Sequence, residues 1–245
     1  MIRKTWAIAK KNIRVYYLKG PVLIFGILFP TFLFLAFAIG RNVPAESLVP
    51  GLIGMALFFT ASATTPAILP FETRTRTLER LLVAPLPLSV LIGGDVLSAF
   101  LYGLFLSAIP IAISFAALGA GFAQPLAVVA AVLLSAVCFA TLGTLFSSPP
   151  TDEPSAIMTL SNLVRLPLIF FSGVFVPVSA MPQWGQWLSR ISPLTYTTEL
   201  LRAGIGQEVH IAPIWCAVAL ICFSAAFWFV SMALHRRNMS RRLSL

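Results

Sequence analysis

Ionisable side chains are scarce in this sequence, so their positions carry most of its chemistry: Asp, Glu, Lys and Arg make up 10% of 245 residues. The densest group lies in Phe71–Ser89, FETRTRTLERLLVAPLPLS, where Glu72, Arg74, Arg76, Glu79 and Arg80 separate two strongly apolar runs. The tendency of basic residues to stay on the inner side of a membrane explains the arginines but not the two glutamates, so the segment reads as a place for a soluble partner to grip. No catalytic constellation accompanies it. The last lysine is Lys19, so a GxxxxGK[ST] phosphate loop cannot occur, and any ATP chemistry is expected in another chain. Cys138, Cys216 and Cys222 lie in apolar runs without ligand spacing, so no metal is expected. His210 and His235 stand isolated at the two ends of the last apolar run and read as interfacial residues.

Two ionisable residues fall inside apolar runs, where a charge at bilayer depth costs about 2.5 to 3.5 kcal/mol or more. Arg165 lies about 11 residues beyond Pro154, roughly 16 Å along a helix and close to mid-membrane. With Asn162 one turn before it and Pro167 two residues after, it forms a polar, kink-prone patch that either lines a solute path or holds two helices together. Asp95 sits early in another run, where Arg165, an arginine of the preceding connection, or water at the inner mouth could satisfy it.

The elements that must place these groups are membrane helices. The chain is 58% hydrophobic with a mean hydropathy of +0.92, and its apolar runs are about 20 residues long rather than the roughly ten of a barrel strand. Its net charge of +9 is spread over the termini and one connection as membrane anchors are, which argues against a nucleic-acid partner. Residues 1–19 place Ile2, Trp6, Ala9, Ile13 and Tyr16 or Tyr17 at three- and four-residue steps, an amphipathic helix suited to the inner membrane surface.

Six spans follow: Pro21–Gly40, Leu48–Pro70, Ser89–Leu118, Pro125–Ser147, Ser155–Pro177 and Pro213–Leu234. Thirteen Lys and Arg fall on one side of this arrangement and three, Arg41, Arg190 and Arg202, on the other, which sets both termini and residues 71–89 in the cytoplasm. The inner connection Ser148–Pro154 carries only acids, Asp152 and Glu153. The outer connection, residues 178–212, is apolar and is broken by Pro182 and Pro193 into two short helices. These are expected to dip back into the membrane, with Trp184 and Trp187 at its aromatic belt. The expected fold is thus a single all-α membrane domain over 1–245, with six transmembrane helices, an interfacial N-terminal helix and two re-entrant helices.

Three stretches carry a family resemblance. Glu72–Pro85 (ETRTRTLERLLVAP), Asn162–Pro177 (NLVRLPLIFFSGVFVP) and the outer segment Pro182–Arg202, with its Pro-Leu-Thr and terminal Arg, resemble the membrane subunits of ABC transporters of the ABC type 2 family, which export drugs, lipo-oligosaccharides or polysaccharides. The chain departs from that pattern at Arg76, where the signature usually has Gly, and at Asp95, where many relatives carry a basic residue. The resemblance implies a multi-pass plasma-membrane permease without enzymatic activity or a cofactor of its own. It would work as a pair of similar copies among membrane lipids, with two ATP-binding cassette subunits that hold ATP and Mg. Glu72, Arg74, Arg76, Leu78, Glu79 and Arg80, with Asp152 and Glu153, would then couple the permease to the ATPase, and the apolar Leu78, Leu81, Leu82 and Val83 could dock in a partner's groove. The expected function is outward movement of an amphipathic or hydrophobic solute, or a glycan, by alternating access. The rival readings are a membrane scaffold or assembly factor and an ion-coupled secondary transporter. The second is disfavoured by the lack of acids at mid-membrane.

Overall fold

A computed structural model of the protein describes residues 1–17, 28–29, 31–33, 35–36, 45–83, 86–118, 121 and 123–242. Most of the expected first span, Pro21–Gly40, lies outside the described residues. The rest is helical, with no strand among the described residues: α1 (Ile2–Asn12) with a π-turn at Ile13–Tyr17, α2 (Ala45–Ala63), α3 (Thr65–Arg74), α4 (Thr77–Val83), α5 (Leu88–Leu118), α6 (Pro125–Phe146), α7 (Pro154–Phe170), α8 (Gln183–Ser189), α9 (Pro193–Ile205) and α10 (Pro213–Arg242).

Among the described residues four helical stretches are long and apolar enough to cross a membrane: Ser47–Arg74, Leu88–Ala112, Pro125–Phe146 and Pro213–Met239. The first joins α2 and α3 through a bend at Thr64. Its apolar window is 89% buried while that of Pro213–Met239 is 11% buried, so the former is the hub and the latter is the most exposed of the four. Around the hub pack α5, α6 and α9. Phe58 of α2 meets Phe139 of α6 edge to face at 5.0 Å, and Ser135 of α6 shares a 2.7 Å hydrogen bond with Thr197 of α9.

The fifth expected span, Ser155–Pro177, is shorter than the sequence suggests. α7 stops at Phe170, where Ser172 N bonds Ile169 O at 3.2 Å and Gly173 takes φ +81°, a left-handed conformation that glycine adopts without strain. Its 17 residues span about 26 Å, less than the roughly 30 Å of a hydrocarbon core. The apolar run continues past the helix because Val174 and Val178 are buried, and Phe171 and Phe175 half-buried, in turns rather than in a span.

α1 lies across the start of α5, and its buried stripe is Ile8, Ala9 and Asn12, continued by Tyr17. The sequence placed Ile2 and Trp6 on that face. They are instead exposed and available to the headgroup layer. Contact with α5 depends on Gly94, where an added Cβ would sit 2.5 Å from Ile8 Cγ2 and 2.6 Å from Ile8 Cβ. Small residues permit this approach between membrane helices. Gly94→Ala is therefore expected to destabilise the detergent-solubilised protein by about 1 to 3 kcal/mol through overpacking, against a helix-propensity gain of about 1 kcal/mol. Ile8→Ala keeps the Cβ that the added methyl meets at 2.6 Å, so adding it to Gly94→Ala should not restore the loss in an unfolding titration, and full restoration would place the strain on the outer part of the Ile8 side chain alone.

Candidate coupling surface and intramembrane polar sites

At the inner end of the bundle, α1 is tied to the charged segment and to α5 by buried polar contacts. Lys11 forms an ion pair with Glu72, whose side chain is 1% exposed. The next residue, Asn12, donates from Nδ2 to Asp95 Oδ1 at 2.6 Å, and Ser98 Oγ donates to Asp95 O at 2.8 Å. Tyr17 stacks on Tyr102 of α5 at 4.7 Å and shares a 2.9 Å hydrogen bond with Thr65 Oγ1 of α3; burial raises its phenol well above the ordinary pKa. Among the described side chains Asp95 thus finds an amide from α1, not Arg165, Arg74 or Arg76.

This changes the make-up of the charged segment's outer face. Glu72 is spent on Lys11, and Leu78 is buried against Ile8, Leu69, Val90 and Leu91, so neither is presented to a partner as the sequence suggested. The reason is that α3 and α4 fold back as a hairpin and use their apolar stripe on the protein's own α1 and α5. Arg74, Arg76 and Glu79 are exposed around the hairpin tip, and Val83 is 87% exposed. The Arg80 side chain lies outside the described residues. Arg76 holds φ +54° between α3 and α4, a left-handed conformation that costs a non-glycine residue about 1 to 2 kcal/mol. Glu153 occupies the N-cap of α7 without a side-chain cap bond and is exposed, and Asp152 beside it is half-buried. The same inner loop is fastened to α10, since Asn238 Nδ2 donates to Ser148 O at 3.0 Å and the buried ring of His235 meets Ser147 Oγ at 3.2 Å. His235 is thus a core residue rather than an interfacial one.

Arg165 lies in the middle of the molecule, 1% exposed, on the α7 face that packs against α3. Its Nη2 donates to Ser62 O, a carbonyl orphaned by the sequence itself: the residue four positions on is Pro66, which has no N–H to offer. Nη1 reaches Asn162 Oδ1 at 3.4 Å, and the guanidinium carbon lies 5.7 Å from the centre of the Phe146 ring. Nε has no hydrogen-bond partner among the described residues. A pocket of about 340 Å³ opens beside this group.

The outer segment is held by α9. Pro182 caps α8 and Pro193 starts α9, while Trp184 and Trp187 of α8 are 63% and 69% exposed. α9 itself is buried between α2, α6 and α10. Thr198 Oγ1 donates to Ser172 O at 3.0 Å and Arg202 Nη2 to Gly173 O at 3.2 Å, which pins the turn after α7. Glu199, 2% exposed and not singled out from sequence, accepts hydrogen bonds from His210 N at 2.6 Å and Ile211 N at 3.2 Å. The sequence signal was an acid inside a mostly apolar outer segment, which must be satisfied if it is buried.

The sequence pattern of the ABC-2 type transporters matches residues 3–205. The chain belongs to that family. Inner membrane transport permease YadH of Escherichia coli is 29% identical over 199 residues, 80% of this chain and 77% of that protein. Probable multidrug ABC transporter permease YbhR of Escherichia coli is 26% identical over 193 residues, 78% of this chain and 52% of that protein. ABC multidrug transporter atrI of Aspergillus fumigatus is 35% identical over a shorter stretch of 60 residues, 24% of this chain and 4% of that protein. As an ABC-2 chain this is a multi-pass membrane protein, and the ABC-2 family normally works with an ATP-binding subunit. The glycine that the resemblance led one to expect at position 76 would adopt the left-handed backbone found there without strain, whereas arginine holds it at a cost.

Proposed function

We propose that this ABC-2 protein is the membrane-spanning permease subunit of an ATP-driven exporter. In this reading it has six spans, with Pro21–Gly40 as the first, both termini in the cytoplasm, and α8 and α9 re-entrant from the outer side. Two copies pair in the membrane, each docked to an ATP-binding cassette subunit that holds ATP and Mg. The exposed set Arg74, Arg76 and Glu79, with Arg80 beside it in the chain and Asp152 and Glu153 of the other inner connection, receives the partner. Glu72 and Leu78 act from beneath by holding the hairpin to α1. ATP binding in the partner would move the hairpin, and α1, α3 and α5 would follow as one body because their polar contacts are buried. Asn162 and Arg165 line the solute's path, and the solute is an amphipathic molecule. Pro182, Trp184, Trp187, Pro193 and Arg202 shape its outer end.

The observation that carries this reading is Arg76. A side chain kept in a left-handed turn at a cost in stability, exposed and flanked by other exposed charges, is what a docking surface requires and a passive loop does not. Arg76→Gly should raise the unfolding free energy by about 1 kcal/mol while weakening copurification of an ATP-hydrolysing subunit and lowering transport-linked ATPase at least several-fold. Unchanged coupling in a stabilised Arg76→Gly protein would remove the arginine from the interface. If no ATP-hydrolysing subunit copurifies with the wild type in mild detergent, the scaffold reading takes its place.

A further inference from the structure

Arg165 carries more charge than its packing uses. Ser62 O needs one donor, which a neutral glutamine amide could also supply, and the Asn162 contact is long at 3.4 Å. No carboxylate among the described side chains contacts the guanidinium. Glu46, whose side chain lies outside the described residues, starts the same helix more than four turns before Ser62, about 24 Å away. A buried cation of this kind is costly unless something negative is brought to it. The adjoining pocket is apolar and aromatic, formed by Phe29, Phe59, Met158 and Leu166, so that the charged end lies at one side of a greasy cleft. The orphan Nε belongs to a side chain that lines this pocket, and Asn162 adds an amide there.

We propose that Arg165 and Asn162 form the headgroup end of a binding site for an amphipathic anion, a single carboxylate or phosphate on an apolar tail. The site deepens the permease reading above and rests on it only for the idea that the bound molecule is the transported one. Guanidinium binds either oxyanion through paired N–H donors, and the apolar wall accepts an alkyl chain. The anion comes either from the bilayer, as a lipid headgroup, or from the aqueous phase, as a soluble amphiphile.

The test uses the full chain in phosphatidylcholine nanodiscs, without nucleotide or partner. A photoactivatable fatty acid and its methyl ester are crosslinked, and the adducts are located by peptide mass spectrometry. The acid should label the peptides holding Phe59 or Met158 at least fivefold more than the ester. Arg165→Gln, which keeps a donor for Ser62 O, should bring that ratio to about one, and Arg165→Lys should keep more than half of it. Equal labelling by acid and ester in the wild type overturns the proposal whether or not the variants fold, as does a ratio that Arg165→Gln leaves unchanged. Competition by phosphatidylglycerol built into the disc assigns the anion to the bilayer, and competition by octyl phosphate alone assigns it to the aqueous phase. Competition by neither overturns the site. Because the labelling needs no ATPase, its failure beside intact coupled ATP hydrolysis removes only the anion, while intact labelling without any copurifying ATPase removes only the permease reading.

Discussion

Glu199→Ala is expected to destabilise the protein by about 3 to 5 kcal/mol, read by equilibrium unfolding in mixed detergent. One carboxylate oxygen caps two backbone N–H groups at the approach to α10, and the other lies 3.9 Å from Arg202 Nε. Burial works to lower the Arg202 pKa and Glu199 works to raise it again, so truncating the acid leaves both a buried cation and two unpaired donors. The ion pair itself is long, and Arg202 Nε has no hydrogen bond, so the caps carry most of the loss. Glu199→Gln keeps an acceptor oxygen and should lose less than half as much. Arg202→Met alone should also lose less, since it gives up the bond to Gly173 O and the long pair with Glu199 but leaves both caps in place. An Arg202→Met loss equal to that of Glu199→Ala would show that the pair, not the cap, fixes α9.

How far the fold was legible follows from what hydropathy encodes. The runs that became Ser47–Arg74, Leu88–Ala112, Pro125–Phe146 and Pro213–Met239 are apolar for a bilayer's length, and length with composition is enough to mark them. The end of α7 was not readable in this way, because residues 171–178 stay apolar while Gly173 turns the backbone. Apolar residues buried in a turn look like apolar residues in a span. The short helices α8 and α9 were legible because Pro182 and Pro193 mark their starts.

The candidate sites were legible as charges but not as partnerships. Sequence offers Glu72 to a partner subunit and says that Asp95 and Arg165 must each be satisfied. It does not say that Lys11, 61 positions away, takes the first, that Asn12 takes the second, or that a proline-orphaned carbonyl takes part of the third. Leu78 illustrates the same limit, since an apolar stripe on a charged hairpin fits a partner's groove and the protein's own α5 equally well. The structure uses it on the second. Arg76 is the reverse case: its departure from the family glycine was visible in the sequence, and its meaning waited for a backbone angle.

The Lys11–Glu72 pair separates holding the hairpin in place from transmitting its movement. Lys11→Met is expected to be the worse single change, at about 3 to 5 kcal/mol, because it leaves the buried carboxylate of Glu72 near that of Asp95 without their cation. Glu72→Leu leaves Lys11, whose side chain is 29% exposed and can move its ammonium toward water, so it should cost less. The double variant Lys11→Met/Glu72→Leu replaces the pair with apolar groups of similar size and should recover most of the stability lost in Lys11→Met, as buried pairs often allow. If the pair carries motion from the hairpin to α1, that stable double variant should still bind its ATP-hydrolysing partner yet show transport-linked ATPase reduced at least fivefold. A stable double variant with normal coupling would confine the pair to structure and leave the Asn12–Asp95 and Tyr17–Thr65 bonds as the polar ties between the N-terminal helical segment and the membrane helices.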